Sequence, residues 1–147
     1  MRVQLLSNEA TGKRPMTSIS IGIDVPDMDQ GVRFYTEAFG FSRLSEPYPG
    51  VVVLKAANIH IALLKRRPRT MPSPNAKNDR DYGRHWTPVH LDIHVDNLET
   101  ALNKALKAGA IKEQLFRNAE HGPLAFCADP FGNGFCILEK ADVSRTT

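Results

Sequence analysis

Three polar residues, His90, Asp92 and His94, stand at alternate positions in "VHLDIHV" (residues 89–95), between Val89, Leu91, Ile93 and Val95. Imidazoles and carboxylates transfer protons and bind metals, so this is the first place to look for chemistry. Alternation of this kind describes a strand with one buried face, which turns the three polar side chains to the other face together. "ISIGIDV" (19–25) has the same form and offers Ser20, Gly22 and Asp24. At about 3.3 Å per residue, His90 and His94 lie about 13 Å apart, too far to share one metal ion. Asp24 and Asp92 have two readings: hydrogen-bonding wall residues, or bases.

A thiol joins these groups in "DPFGNGFCILEK" (129–140), where Cys136 interrupts an apolar run. It reads either as a small residue filling a wall or as a nucleophile with His90 as its base. Gly132 and Asn133 are expected to supply the unusual backbone angles of the turn before it. Cys127 falls on the neighbouring strand, and two cysteines make no disulfide framework. No CxxC pattern occurs, and the one HxxxH spacing, His90 to His94, lies on the expected strand rather than a helix. Trp86, beside His85, is a candidate stacking wall with Tyr48 or Phe131. Arg66, Arg67, Arg69, Arg80 and Arg84 cluster in residues 66–88, either as a solvated loop or as contacts for an anionic ligand.

The elements that position these groups repeat. Residues 19–41 and 89–111 each run from an alternating strand into a helix start. Asp27 with Gln30, and Asp96 with Glu99, have capping-box spacing. Helical spacing follows in Met28, Val32, Tyr35 and Phe39, and in Leu98, Leu102 and Ala105, with Gly40 and Gly109 as C-terminal stops. Three strand-like segments follow each helix: 41–47, 51–56 and 59–65, then 111–116, 124–128 and 134–139. The chain is therefore expected to be α+β, two β-α-β-β-β modules at 17–65 and 87–140 joined by a long loop at 66–86. Residues 1–16 are expected to form a disordered tail, with Met16 a possible start of the folded part, and residues 141–147 a C-terminal tail.

Composition excludes several function classes. The 147 residues are 41% hydrophobic and 24% charged, as in ordinary globular domains. A net charge of +3 is too small to mark a nucleic-acid binder. No apolar run reaches the roughly 18 residues of a membrane span. The N-terminal segment has no apolar h-region, so a reducing cytoplasm is the expected compartment.

The paired modules resemble the vicinal oxygen chelate superfamily, which includes glyoxalase I, bleomycin-resistance-type binding proteins, fosfomycin-resistance enzymes and extradiol dioxygenases. The likeness rests on "IDVPDMDQGVRFYTEAFGF", "HLDIHVDNLETALNKALKAGA" and "ADPFGNGFCILEK", and covers about residues 18–140. It implies a curved mixed sheet around a shared cleft, with the helices on the outer face. Metal-using members place up to four ligands in that cleft, one on the first and one on the last strand of each module. The corresponding residues here are Ser20, Ala62, His90 and Cys136, of which only His90 is a usual donor. An extradiol-type triad would need Ser20, His90 and Cys136. Glu139, three residues beyond Cys136, is expected on the opposite face. His60 is expected to share the cleft face with Ala62, so His90, His60 and Cys136 form a conceivable variant zinc site.

The resemblance therefore implies a small-molecule-binding protein without the usual four-ligand metal site. Its expected ligand-binding cleft comprises Ser20, Asp24, His60, Ala62, His90, Asp92, Cys136 and Trp86. The alternative is a metal-dependent glyoxalase-type lyase or isomerase, or a dioxygenase relative, using Zn, Ni, Mn or Fe around His90. A homodimer is the expected assembly, as is common for two-module members.

Overall fold

The computed structural model describes residues 16–140. The expected tails, 1–16 and 141–147, fall outside this range except for Met16. The element order is β1 (Ser20–Val25), α1 (Met28–Phe39), β2 (Ser42–Tyr48), β3 (Val51–Ala56) and β4 (Ile59–Lys65). The second module repeats it with β5 (Leu91–Val95), α2 (Leu98–Ala108), β6 (Ile111–Phe116), β7 (Leu124–Ala128) and β8 (Gly134–Glu139). The leading strand of the second module and the first strand after α1 both begin later than the sequence reading placed them.

Each module is a four-stranded mixed sheet, ordered β1-β4-β3-β2 and β5-β8-β7-β6. The leading strand pairs in parallel with the closing strand, and the other neighbours are antiparallel. This order follows from chain reach. The helix carries the chain back across the sheet, so the closing hairpin arrives beside the leading strand.

Asp27 caps α1, its Oδ1 accepting the Gln30 N–H at 2.8 Å, as the spacing indicated. The face of α1 differs slightly from the expected one. Gly31, Phe34, Tyr35 and Ala38 are fully buried, while Met28, Val32 and Phe39 are partly buried. In α2 the cap is Asn97 rather than Asp96, and its Oδ1 accepts the Thr100 N–H at 2.8 Å. Asp96 is left exposed, facing Lys140 Nζ at 3.4 Å. Asp96 has the capping-box partner Glu99 and Asn97 has only Thr100 at that spacing, yet the backbone path makes Asn97 the cap. Leu98, Leu102 and Ala105 are buried as their spacing requires.

One apolar core runs through both modules, from Val25, Leu54 and Leu63 to Ala125 and Ile137. The helices lie against each other as well as on their sheets. Phe34 meets Phe135 of the other module at 6.4 Å between ring centroids, and Phe39 meets it at 5.4 Å, edge to face.

Candidate functional site

Strand pairing places the chemical groups. On β1 and β4, Ser20 lies opposite His60, Gly22 opposite Ala62 and Asp24 opposite Leu64. On β5 and β8, Asp92 lies opposite Cys136 and His94 opposite Leu138. Their neighbours Ile23, Val25, Ile61 and Leu63, and Phe135 and Ile137, are buried on the helix side. Both polar sets therefore face away from the helices, as alternation required. Glu139 turns to the helix side, where its carboxylate accepts the Leu98 N–H at 2.9 Å and serves the start of α2. The same register separates the thiols. Cys127 is opposite Phe135 and Cys136 is opposite Phe126, so the two cysteines point to opposite faces.

Residues 66–90 pack across the body as a strap. Arg69 and Arg80 pair through their backbones with Arg80 and Thr70 respectively, at 2.8 and 2.9 Å. Arg80 Nε donates to Asp24 Oδ2 at 2.7 Å, and its Nη1 to the Thr70 hydroxyl and the Met71 carbonyl. The Tyr82 hydroxyl donates to the Arg66 carbonyl at 2.8 Å. Burial raises the Tyr82 pKa, as does Asp24, against the lowering effect of Arg80 and Arg66. Arg84 pairs with Glu113 on β6, and this contact holds the carboxylate below its ordinary range. Two of the loop arginines are thus committed to ion pairs, Arg80 with Asp24 and Arg84 with Glu113.

The strap lands on the turn before β8. His85 N–H donates to the Gly132 carbonyl at 3.2 Å, and His85 Nε2 lies 3.0 Å from Asn133 Oδ1. Gly132 has φ +82°, and a Cβ there would sit 1.9 Å from the Gly83 carbonyl oxygen. Asn133 does not share the positive φ; its amide instead donates to Asp129 Oδ2 at 2.9 Å. Arg84 lies over Gly134, where a Cβ would come 2.7 Å from Nη2. The glycines of "FGNG" therefore let the strap approach the backbone closely.

Asp129 holds the turn from inside. It is 1% exposed, yet it accepts from the Tyr35 hydroxyl at 2.5 Å and from the Phe131 N–H, the Asn133 N–H and the Asn133 amide. Burial, and then Asp129, raise the Tyr35 pKa well above the ordinary phenol value. This link between α1 and the second module has no local signature in the sequence, because its partners are 94 positions apart.

Two cavities adjoin these groups. The larger, about 910 Å³, lies between the modules and is lined by Asp24, Tyr35, Phe39, Arg80, Trp86 and Phe135, with His85 and His90 also on its wall. The smaller, about 340 Å³, is lined by Arg84, Trp86, His90, Glu113, Phe126 and Cys136, among others. Asp24, His90 and Trp86 of the expected cleft thus line the larger cavity, and Cys136 the smaller. Ser20, His60, Ala62 and Asp92 line neither. Trp86 is 83% exposed, and its aromatic companions in the larger cavity are Tyr35, Phe39, Tyr82 and Phe135. Phe131 is a core residue at 1% exposure, and Tyr48 lies on β2 outside both linings.

The donor set does not fit the usual four-ligand metal arrangement. Ala62 has no donor atom and Ser20 offers only a neutral hydroxyl. Among the described residues, His90, Asp92 and Cys136 do form a group whose ligand atoms all lie within 4.8 Å of one another. His90 Nε2 is 3.1 Å from Asp92 Oδ1. Burial and then the Asp92 charge raise the Cys136 thiol pKa. The structure thus gathers His90 and Cys136 with Asp92 as the third member, and His60 is outside the group.

The comparisons agree with this architecture. No curated protein matches the sequence. A point mutant of the fosfomycin resistance protein FosX from Listeria monocytogenes, solved with Mn(II) and 1S,2S-dihydroxypropylphosphonic acid, superposes with a TM-score of 0.66 at 11% identity, covering 89% of this chain and 96% of that one. A lactoylglutathione lyase from Agrobacterium tumefaciens gives 0.58 at 17% identity, covering 86% and 95%. A glyoxalase/bleomycin resistance protein/dioxygenase family enzyme from Burkholderia phytofirmans PsJN gives 0.63 at 19% identity, covering 82% and 95%. These likenesses establish the two-module fold. Residues 20–138 fit the glyoxalase-like domain family, and the chain belongs to that family, within the vicinal oxygen chelate superfamily.

Proposed function

We propose that this protein binds a small, planar organic molecule in the cavity between its modules, without the four-ligand metal site of its metal-using relatives. The supporting observation is the cavity wall. About 910 Å³ lies within the usual range for small-molecule sites. Tyr35, Phe39, Trp86 and Phe135 offer stacking and apolar surface, while Asp24, Arg80, His85 and His90 offer a few polar contacts. The exposed Trp86 ring has surface to gain by covering a ligand.

Trp86 is the sole tryptophan, so its fluorescence reports directly on the cavity. Titration with a panel of drug-sized planar aromatics is expected to give saturable quenching by at least one member. Asp24→Ala and Phe135→Ala should weaken that binding by about tenfold or more, roughly 1.4 kcal/mol. A panel with no saturable quenching and no thermal shift would sink this reading.

One observation favours a second reading, a metal-dependent lyase, isomerase or dioxygenase relative: the His90, Asp92 and Cys136 group beside the cavity. It predicts turnover of a glutathione hemithioacetal or a catechol when divalent ions are added. Absence of turnover across Zn, Ni, Mn and Fe would count against it.

A further inference from the structure

We propose that His90, Asp92 and Cys136 form a zinc site contained wholly within the second module. The three ligand atoms lie within 4.8 Å of one another. Tetrahedral zinc, with bonds of about 2.0–2.3 Å, spaces its ligands by about 3.3–3.8 Å. Small rotations therefore close the set, and both His90 and Asp92 have room for them, with side chains 50% and 48% exposed.

Strand pairing fixes the backbone under two of the three donors. Asp92 and Cys136 are direct partners across the parallel β5–β8 pair. His90 stands immediately before β5, and its Nε2 reaches Asp92 Oδ1 at 3.1 Å. Behind them the pairs Leu91–Phe135 and Ile93–Ile137 hold the register against the core. A one-residue slip would expose Ile137, so the spacing of the donors is protected by packing.

The donor chemistry selects the ion. An imidazole, a carboxylate and a thiolate suit zinc, whereas magnesium, calcium and manganese favour oxygen-rich sets. Three protein ligands leave a fourth position for water or another molecule. His90 also lines the larger cavity, so the site adjoins the space assigned above to an organic ligand. The step balances simply: Zn²⁺ displaces the Cys136 thiol proton to solvent, forming one Zn–S bond and releasing one H⁺ per ion.

The test is cobalt substitution. Full-length protein stripped with chelator is titrated with Co(II). One equivalent should bind per chain, with a thiolate-to-cobalt charge-transfer band in the near ultraviolet, and one equivalent of zinc should abolish the band. Cys136→Ser should remove the band, and His90→Ala and Asp92→Ala should weaken binding at least tenfold. Cys127→Ser and His60→Ala should leave the band unchanged. The wild-type titration does not depend on any variant folding, and near-ultraviolet circular dichroism checks the variants. No band at millimolar Co(II), or a band that survives Cys136→Ser, would overturn the proposal. Loss of the band in His60→Ala would also overturn it, because the site would then span the modules. The cavity reading stands apart from this result, since it depends on quenching by organic ligands with no metal added.

Discussion

At the scale of single residues, the most consequential group is a carboxylate that the chemistry does not use. Asp129 is buried and satisfied by four donors, two of them backbone N–H groups of its own turn. Removing one partner of a buried bond costs about 1–3 kcal/mol, and more when several donors are stranded. Tyr35→Phe is therefore expected to lower unfolding free energy by about 1–3 kcal/mol in urea titrations, and Asp129→Ala by more. The thiols differ in the same physical terms. Burial, and then Cys136, push the Cys127 pKa up from 9.0 to about 11, so in the folded protein it stays protonated. Its raised folded pKa contributes stability below pH 9.0 that is lost as pH rises through about 11. Alkylation followed by mass spectrometry at pH 8 should modify Cys127 only after unfolding. Cys127→Ala should flatten the loss of stability in the alkaline range.

At the scale of elements, caps and close approaches decide. Asn97 begins α2, so Asn97→Ala should cost about 1 kcal/mol in chemical denaturation. Asp96→Ala should stay within about 0.5 kcal/mol, because Asp96 makes only an exposed ion pair. The strap depends on Gly132, whose φ of +82° and contact with Gly83 leave no room for a side chain. Gly132→Ala should release residues 83–86, seen as faster limited proteolysis between residues 66 and 90 and a shifted Trp86 emission. The Arg84–Glu113 pair would not hold the strap by itself, since an exposed pair is worth only about 0.2–1 kcal/mol.

At the scale of the whole molecule, the two modules share one core and enclose the larger cavity between them. Phe34 touches Phe135 across the boundary, so the modules should unfold together. Calorimetry is expected to show a single transition. Phe34→Ala should shift it downward, at a cost of about 3–5 kcal/mol, without splitting it. Among the described residues no helix is long and apolar enough to cross a membrane.

Sequence alone determined the repeat, the strand faces and one helix cap of two. Period-two alternation in "ISIGIDV" and "VHLDIHV" leaves a single way to bury the apolar members, so Asp24, His90 and Asp92 had to share the polar side. Buried faces are local properties of a strand, and local patterns record them. The partners across modules were not legible. Nothing near Asp24 announces Arg80, 56 positions away, and nothing near Tyr35 announces Asp129. The long segment at 66–90 carried Pro, Arg and Asn like any solvated loop, yet it packs as a strap because Gly132 and Gly134 let it approach. Tertiary structure also chose which donors meet: the parallel register of β5 and β8 set Cys136 beside Asp92 and left His60 beside Ser20. Strand pairing fixes such neighbours through hydrogen bonds between distant segments, and one strand's sequence does not contain its partner's register.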